Sequence, residues 1–447
     1  MKRKPLLIFH TWLCIFLAWS IVSATDQPRT PVNEQLVSGP SLADLTAYAI
    51  RHNPDIQAAR LGWEAEIEEY GITTGYPDPQ LMVTYFTDPI ETRLGPQDWS
   101  AQISQLIPFP GKLSKKGEIV AARARIARLN LDKTIRQTIT ALRTSFHELA
   151  YIRQALEIAE RNRELLEHIR KTGETAYARD QATLTDVAKA QAQTGQLAYD
   201  ILLLTELEQT EATTLNSLLN RPPAARIGPL GDVAAAPLTY SLEQIFTFVE
   251  NNQEEIRIAQ QKINQAEAGK DLALYENLPD FKVGFSYADI GEPDVATQPP
   301  DAGRDAVGIQ AGISVPLWFG KNKSRMDKAR LELRQARKNK ESNINSARAG
   351  ARSLYFKVNN ALRLVTLYAD QLLPQATQSM VTAETWYREG EGSFSDFIEN
   401  QATLYNFQVS LARARADYGK YLAALEGLAG RKLTGINETD RKTEDEK

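Results

Sequence analysis

The residue types that carry out chemistry are sparse in this chain of 447 residues. Beyond the first 24 positions the histidines are His52, His147 and His168, too scattered to assemble a metal cluster. His147-Glu148 is followed by Tyr151 where a zinc-protease helix needs a second histidine. No G-x-S-x-G elbow, P-loop or dinucleotide fingerprint occurs, so the sequence argues against an enzyme and implies no cofactor and no resident metal. Two spaced pairs do have a direct physical meaning. Thr183 stands three residues before Asp186, and Ser393 three before Asp396, the spacing with which a hydroxyl and a carboxylate satisfy the free N–H groups of a helix start. On that reading Asp396 is a cap beside the positive end of a helix. Glu399, one turn further on, is required by no cap.

The elements that position these residues are written twice. "SLADLTAYAIRHNPDIQAA" from Ser41 is similar to "SLEQIFTFVENNQEEIRIA" from Ser241. Tyr76-Pro77-Asp78 matches Leu278-Pro279-Asp280, and Gly111-Lys112 matches Gly320-Lys321. "YARDQATLTDVAKAQAQ" from Tyr177 matches "YREGEGSFSDFIENQAT" from Tyr387. The offset grows from 200 to 210, nearly all of it between the Pro-Asp and Gly-Lys sites, which predicts a longer loop there in the second copy. The expected organisation is a leader over 1–24, an N-terminal segment over 25–40, one repeat over 41–221, a Pro, Ala and Gly-rich linker over 222–240, a second repeat over 241–431 and a polar tail over 432–447.

The leader has three cations (Lys2, Arg3, Lys4), an apolar run from Leu6 to Val22, and Val22-Ser23-Ala24 as a cleavage site, the pattern of a secretory signal peptide. The run is also marginally long enough to span a bilayer, which leaves a membrane anchor open. Cys14, the single cysteine, falls inside it, so the mature chain is expected to have no thiol and no disulfide. Loss of the three cations takes the formal charge from −4 to −7, which argues against nucleic-acid binding.

Each repeat reads as a strand pair followed by very long helices. The strands are expected over about 80–87, 99–108, 281–288 and 307–316. Leu81, Val83 and Tyr85 share one face, as do Trp99, Ala101, Ile103 and Ile107; Phe281, Val283, Phe285 and Tyr287 alternate with Lys282, Gly284 and Ser286. An apolar face backed by small or polar residues over roughly 9 to 11 residues suits a transmembrane strand with lipid on one side and water on the other. Phe109, Trp318 and Phe319 at the strand ends suit a headgroup girdle. Each such strand alone would also suit a half-buried place in a soluble sheet. Beyond each Gly-Lys the apolar residues step by four and three (Ile135, Ile139, Leu142, Phe146, Leu149; Leu354, Val358, Ala361, Val365), a heptad that predicts coiled-coil packing. A stretch of roughly 60 residues would be about 90 Å long. Returning helices are expected over 184–219 and 394–429. Four strands with open edges cannot stand alone in hydrocarbon, so two or more chains must close a barrel; three would give twelve strands.

The strand ends "IPFPGK" and "VPLWFGK", the paired Tyr-to-Asp turns and the leader together resemble the TolC-type outer membrane efflux protein family, the exit ducts of tripartite pumps. The resemblance covers Ser41 to Arg431 and leans toward the ducts of heavy-metal pumps. It implies a mixed α+β membrane protein: a homotrimer with a 12-stranded β-barrel in the outer membrane of a Gram-negative bacterium, continued by a periplasmic α-helical tunnel. Its implied partners are a periplasmic adaptor, a proton-driven inner-membrane transporter of the RND type, and outer-membrane lipid. By the same resemblance Asp396 and Glu399 would form a gate, six carboxylates on a ring of three chains, favouring cations and perturbing one another's ionisation. Tyr387 and Arg388 would tie helices in the shut state. Gly390, Gly392, Ser393, Phe394, Thr183 and Leu184 would meet the adaptor. The first turn, Ala178-Arg179-Asp180-Gln181-Ala182, departs from the family pattern in having no glycine. The alternative is a non-pore periplasmic coiled-coil protein with a structural or interaction role, which would leave the alternating strands without a purpose.

Overall fold

In a computed structural model, residues 39–178, 183–231, 235–389 and 391–435 are described. The leader, the tail beyond 435, the four residues 179–182 and Gly390 lie outside them.

The same order of elements occurs twice. A short helix (α1, Leu42–His52) and a longer one (α2, Pro54–Thr74) precede an antiparallel pair, β1 (Gln80–Thr92) and β2 (Gly95–Ile107). A 66-residue helix follows (α3, Lys112–Tyr177), then α4 (Leu184–Leu218). The second set is α5 (Leu242–Asn252), α6 (Glu254–Tyr275), β3 (Phe281–Ile290), β4 (Ala306–Ile313), α7 (Phe319–Leu367), α8 (Leu373–Glu389) and α9 (Phe394–Ala429). Ser41 and Ser241 cap α1 and α5 in the same way, each hydroxyl accepting from the N–H three residues on while Asp44 or Gln244 reaches back. These four helices ahead of the strands were not anticipated as separate elements. Both pairs break where Asn53 or Gln253 adopts extended backbone and caps the next helix.

The strands depart from expectation at two points: β4 ends at Ile313 rather than near residue 316, and the first hairpin is longer. Residues 88–98 are not a loop: β1 and β2 run on to a tight turn at Arg93-Leu94, the register shifting at a bulge between Tyr85 and Ile90 before pairs such as Thr92 with Gly95. The long loop occurs only in the second copy, between Ile290 and Ala306. The four strands form one antiparallel sheet in the order β1-β2-β3-β4, so the middle joint, β2 to β3, links the two repeats.

Register decides the chemistry of the faces. Leu81, Ile103, Phe285 and Ile309 are paired in one row across the sheet, and Val83, Ala101, Tyr287 and Val307 in the next. Leu81 is 72% exposed, Tyr85 73% and Ile309 89%. The opposite face has Gln80, Ser104, Gly284 and Gln310 in one row, Met82, Gln102, Ser286 and Gly308 in the next, with Gln102 Nε2 donating to Gln310 Oε1 at 2.8 Å. One face is apolar and bare; the other is polar and bonded to itself. Such a sheet is stable where lipid meets the first and water the second.

The helices form the body. At 1.5 Å per residue α3 is about 100 Å long. It packs along α2, α4, α6 and α9, burying Leu142, Phe146, Leu149 and Ile152. In the second copy the long helix is interrupted by a π turn over Tyr368–Leu372 before α8. Pro374 explains the interruption: it has no N–H to give the carbonyl of Asp370, and the wider turn accommodates the lost bond. Among the described residues no helix is long and apolar enough to cross a membrane.

Candidate functional site

The expected gate and adaptor residues gather where α3 turns into α4 and α8 into α9. The two turns share a design but differ in one contact. In the first, Thr183 N–H and Oγ1–H both donate to Asp186 Oδ2, at 3.0 and 2.7 Å, and Asp186 N–H returns to Thr183 Oγ1 at 3.2 Å. In the second, Ser393 Oγ accepts from Asp396 N–H at 3.0 Å, but the Asp396 carboxylate does not close the box. It is exposed and makes no hydrogen bond or ion pair among the described residues. The cap reading of Asp396 therefore holds for its backbone only, and its charge is presented to solvent beside the positive end of α9.

Glu399 is exposed as well, 3.8 Å from Lys189 Nζ of α4. Lys189 donates to Ser395 Oγ at 2.6 Å. A pair this open contributes less than about 1 kcal/mol, so the second carboxylate is only loosely held. Lys189 was missed in the sequence because nothing in the sequence places α4 beside the first turn of α9.

The other expected residues divide by burial. The Tyr387 ring stacks on Phe397, centroids 6.0 Å apart, and tilts against Phe394 at 5.3 Å. Burial, and then the Asp186 carboxylate, raises its phenol above the ordinary tyrosine range. Arg388 is exposed and bound to Glu384 of its own helix. Leu184, Thr183 and Ser393 are exposed, as is Trp386, which no sequence reading selected. Gly392 sits in a turn where its N–H and that of Glu391 both donate to Trp386 O, at 3.0 and 2.9 Å.

Phe394 corrects an expectation. At 3% exposed it does not face outward; its ring lies over Gly173 of α3, where a Cβ would come within 2.7 Å of Cζ. It holds the hairpins together with Phe397, Ile398, Leu166 and Ile169. Phe394→Ala is expected to cost about 3 kcal/mol of local stability. Amide hydrogen exchange would rise at the ends of α3, α8 and α9 and stay unchanged in β1–β4; uniform exchange changes would contradict the local role.

A second constellation lies at the other end of the helices. Lys112, at the start of α3, is buried; its Nζ lies 2.8 Å from Asp280 Oδ1 and 2.9 Å from Leu278 O. Asp280 Oδ1 also accepts from Phe109 N–H at 2.8 Å, and the Asp280 N–H donates to Ser314 Oγ at the same length. The Gly-Lys of one repeat thus fastens to the Pro-Asp of the other, which gives the repeated phrases a physical purpose.

Comparison with known proteins places this geometry. Residues 249–431 match the family model described as outer membrane efflux protein. No curated protein matches the sequence. Among solved structures, the Campylobacter jejuni CmeC outer membrane channel superposes with a TM-score of 0.74 at 13% identity, over 91% of this chain and 89% of that one. The open state of the Neisseria gonorrhoeae MtrE outer membrane channel gives 0.70 at 16% identity, over 88% and 90%. CusC, described for its folding and transmembrane channel formation, gives 0.74 at 15% identity, over 89% and 93%. Residues 249–431 thus match the outer membrane efflux protein model, and the chain has the fold of these outer-membrane channels.

Proposed function

We propose that this chain is a passive exit duct of the outer membrane, the last component of a tripartite efflux pump. The observation that carries the reading is the four-stranded sheet: a bare apolar face, a polar face bonded to itself, and two unpaired outer edges, leading directly into helices far longer than a compact domain needs. Unpaired edges in hydrocarbon cost several kcal/mol per backbone group, so copies of the chain must join them. Three copies give twelve strands, within the range of bacterial barrels, and a helical tube beneath. A periplasmic coiled-coil protein without a pore gives no account of the exposed Leu81, Tyr85 and Ile309.

In this reading the helical hairpins form the closed end. Three copies bring three free Asp396 carboxylates and three loosely paired Glu399 carboxylates to one ring, which selects for cations. Thr183, Leu184, Gly392 and Ser393 form the edge an adaptor would meet, and Trp386 joins them. The energy would come from a proton-driven inner-membrane transporter, and selection of cargo with it. Metal ions are the cargo we favour, passed through without a thiolate or thioether relay, since the chain beyond its leader has no cysteine and only Met82, Met326 and Met380.

Single-channel recording of the detergent-extracted protein in planar bilayers tests this. Asp396→Asn with Glu399→Gln should change conductance and lower cation preference. Recordings identical to the parent would remove the gate role, and a chain that forms no pore at all would remove the duct.

A further inference from the structure

The fastening between the two repeats is made of two halves, and each half occurs twice in the chain. Pro77-Asp78 precedes β1 as Pro279-Asp280 precedes β3; Gly320-Lys321 follows β4 as Gly111-Lys112 follows β2. One pairing is made inside the chain, Lys112 with Asp280, across the joint between β2 and β3. The other two halves are left over. Asp78 and Lys321 are exposed, and neither has a hydrogen bond or ion pair among the described residues.

They cannot pair with each other in one chain. β1 and β4 are the outer strands of the sheet, three strand spacings or about 14 Å apart. Between copies the geometry is different. Laying β4 of one copy beside β1 of the next continues the antiparallel alternation and repeats the relation of β2 to β3: the strand that ends in Gly-Lys lies beside the strand that begins after Pro-Asp. In the register that copies Ile103–Phe285 and Ala101–Tyr287, the apolar face would continue across that joint from Ile313 to Val83 and from Ala311 to Tyr85. Tyr76, Leu317, Trp318 and Phe319, all exposed, flank the two charges and would cover them.

We propose that Lys321 of one copy forms an ion pair with Asp78 of the next, a clasp between chains that copies the Lys112–Asp280 clasp within the chain. By the same correspondence, Trp318 N–H takes the place of Phe109 N–H on the carboxylate, and Tyr76 O that of Leu278 O on the ammonium. One difference is present: α7 begins at Phe319, so Lys321 reaches out from its first turn, whereas Lys112 begins α3. The clasp rests on the reading that copies of this chain close a barrel, and it specifies which residues meet at the joint.

The test uses the full chain with Cys14→Ser, extracted in detergent. Asp78→Lys and Lys321→Asp, made singly, should each lower the temperature at which the oligomer dissociates; the two together should restore much of the loss. Independently, Asp78→Cys combined with Lys321→Cys should give, with a short bis-methanethiosulfonate reagent, a ladder of two and three linked chains, and each single cysteine should give none. An oligomer of unchanged mass with no ladder and no rescue would overturn the clasp and leave the duct reading standing. A parent chain that is monomeric in detergent would overturn both.

Discussion

Asp280→Ala is expected to cost about 3 kcal/mol, among the largest losses any single side-chain truncation in this chain would produce. The reason is the company it keeps rather than the strength of the ion pair. Lys112 is 5% exposed, and its ammonium has two partners, the Asp280 carboxylate and the carbonyl of Leu278. Removing the carboxylate leaves a buried cation with one neutral acceptor and also strands the Phe109 N–H, 2.8 Å from Oδ1. Asp280→Asn should cost less, because an amide oxygen still accepts from Phe109. Lys112→Met with Asp280→Ala should recover much of the loss, since neither charge is then left unpaired. Thermal unfolding of the detergent-extracted variants, followed by helical circular dichroism, would order them as Ala, then the double variant and Asn, then parent. Equal losses for Ala and for the double variant would mean that the site is held by packing and not by charge compensation.

The same residues show what was legible in the sequence. The repeated Pro-Asp and Gly-Lys phrases were visible as spacing, and the strands around them as alternation, because both depend on local order along the chain. That Lys112 should find Asp280, 168 positions away, depends on β2 lying beside β3, and no local pattern encodes which edges meet. The returning helices were read to within a residue, Leu184–Leu218 and Phe394–Ala429, because Thr183 and Ser393 announce them. The tip chemistry was read less well for a related reason. Ser393 and Thr183 have the same spacing to their aspartates, yet only Asp186 returns its carboxylate to the cap. The resemblance places Phe394 among the turn residues that meet an adaptor; its ring instead covers Gly173, a position on another helix that no local pattern links to it. The short helices ahead of each strand pair were hidden by Asn53 and Gln253, which end one helix and start the next without a loop.

Stability of the helical body is expected to fall by about 3 kcal/mol as the pH drops from near 6.5 to near 4, through His147. This residue, excluded as a catalyst by its sequence setting, lies on α3 against Gly419 of α9. Its ring rests on Gly419, where a Cβ would come within 2.5 Å, and it meets Phe146 edge-on at 5.6 Å. Burial, with the Arg143 guanidinium and the Lys420 ammonium nearby, lowers its pKa to about 4. The surrounding charges are already committed: Arg143 to Glu426 at 2.7 Å, Lys420 to Asp417 at 2.8 Å, and Arg413 to Glu148 at 2.7 Å. None offers His147 a carboxylate. The unfolded chain therefore takes up a proton near the ordinary histidine pKa of about 6.5 while the folded chain does not. Between those values the unfolded state binds more protons, so stability is fully present above about pH 6.5 and is lost as acid approaches the folded pKa. Glu148 also destabilises on acidification: burial would raise its pKa, but Lys420 and Arg413 outweigh that and hold it low, so its loss comes mainly below the usual carboxylate range. His147→Gln separates the two. Denaturant unfolding at pH 7.5, 6.0 and 4.8 should show a steep fall for the parent and a much flatter one for the variant, whatever the variant loses at pH 7.5 by repacking against Gly419. Parallel slopes would place the acid sensitivity in the carboxylates and not in the histidine.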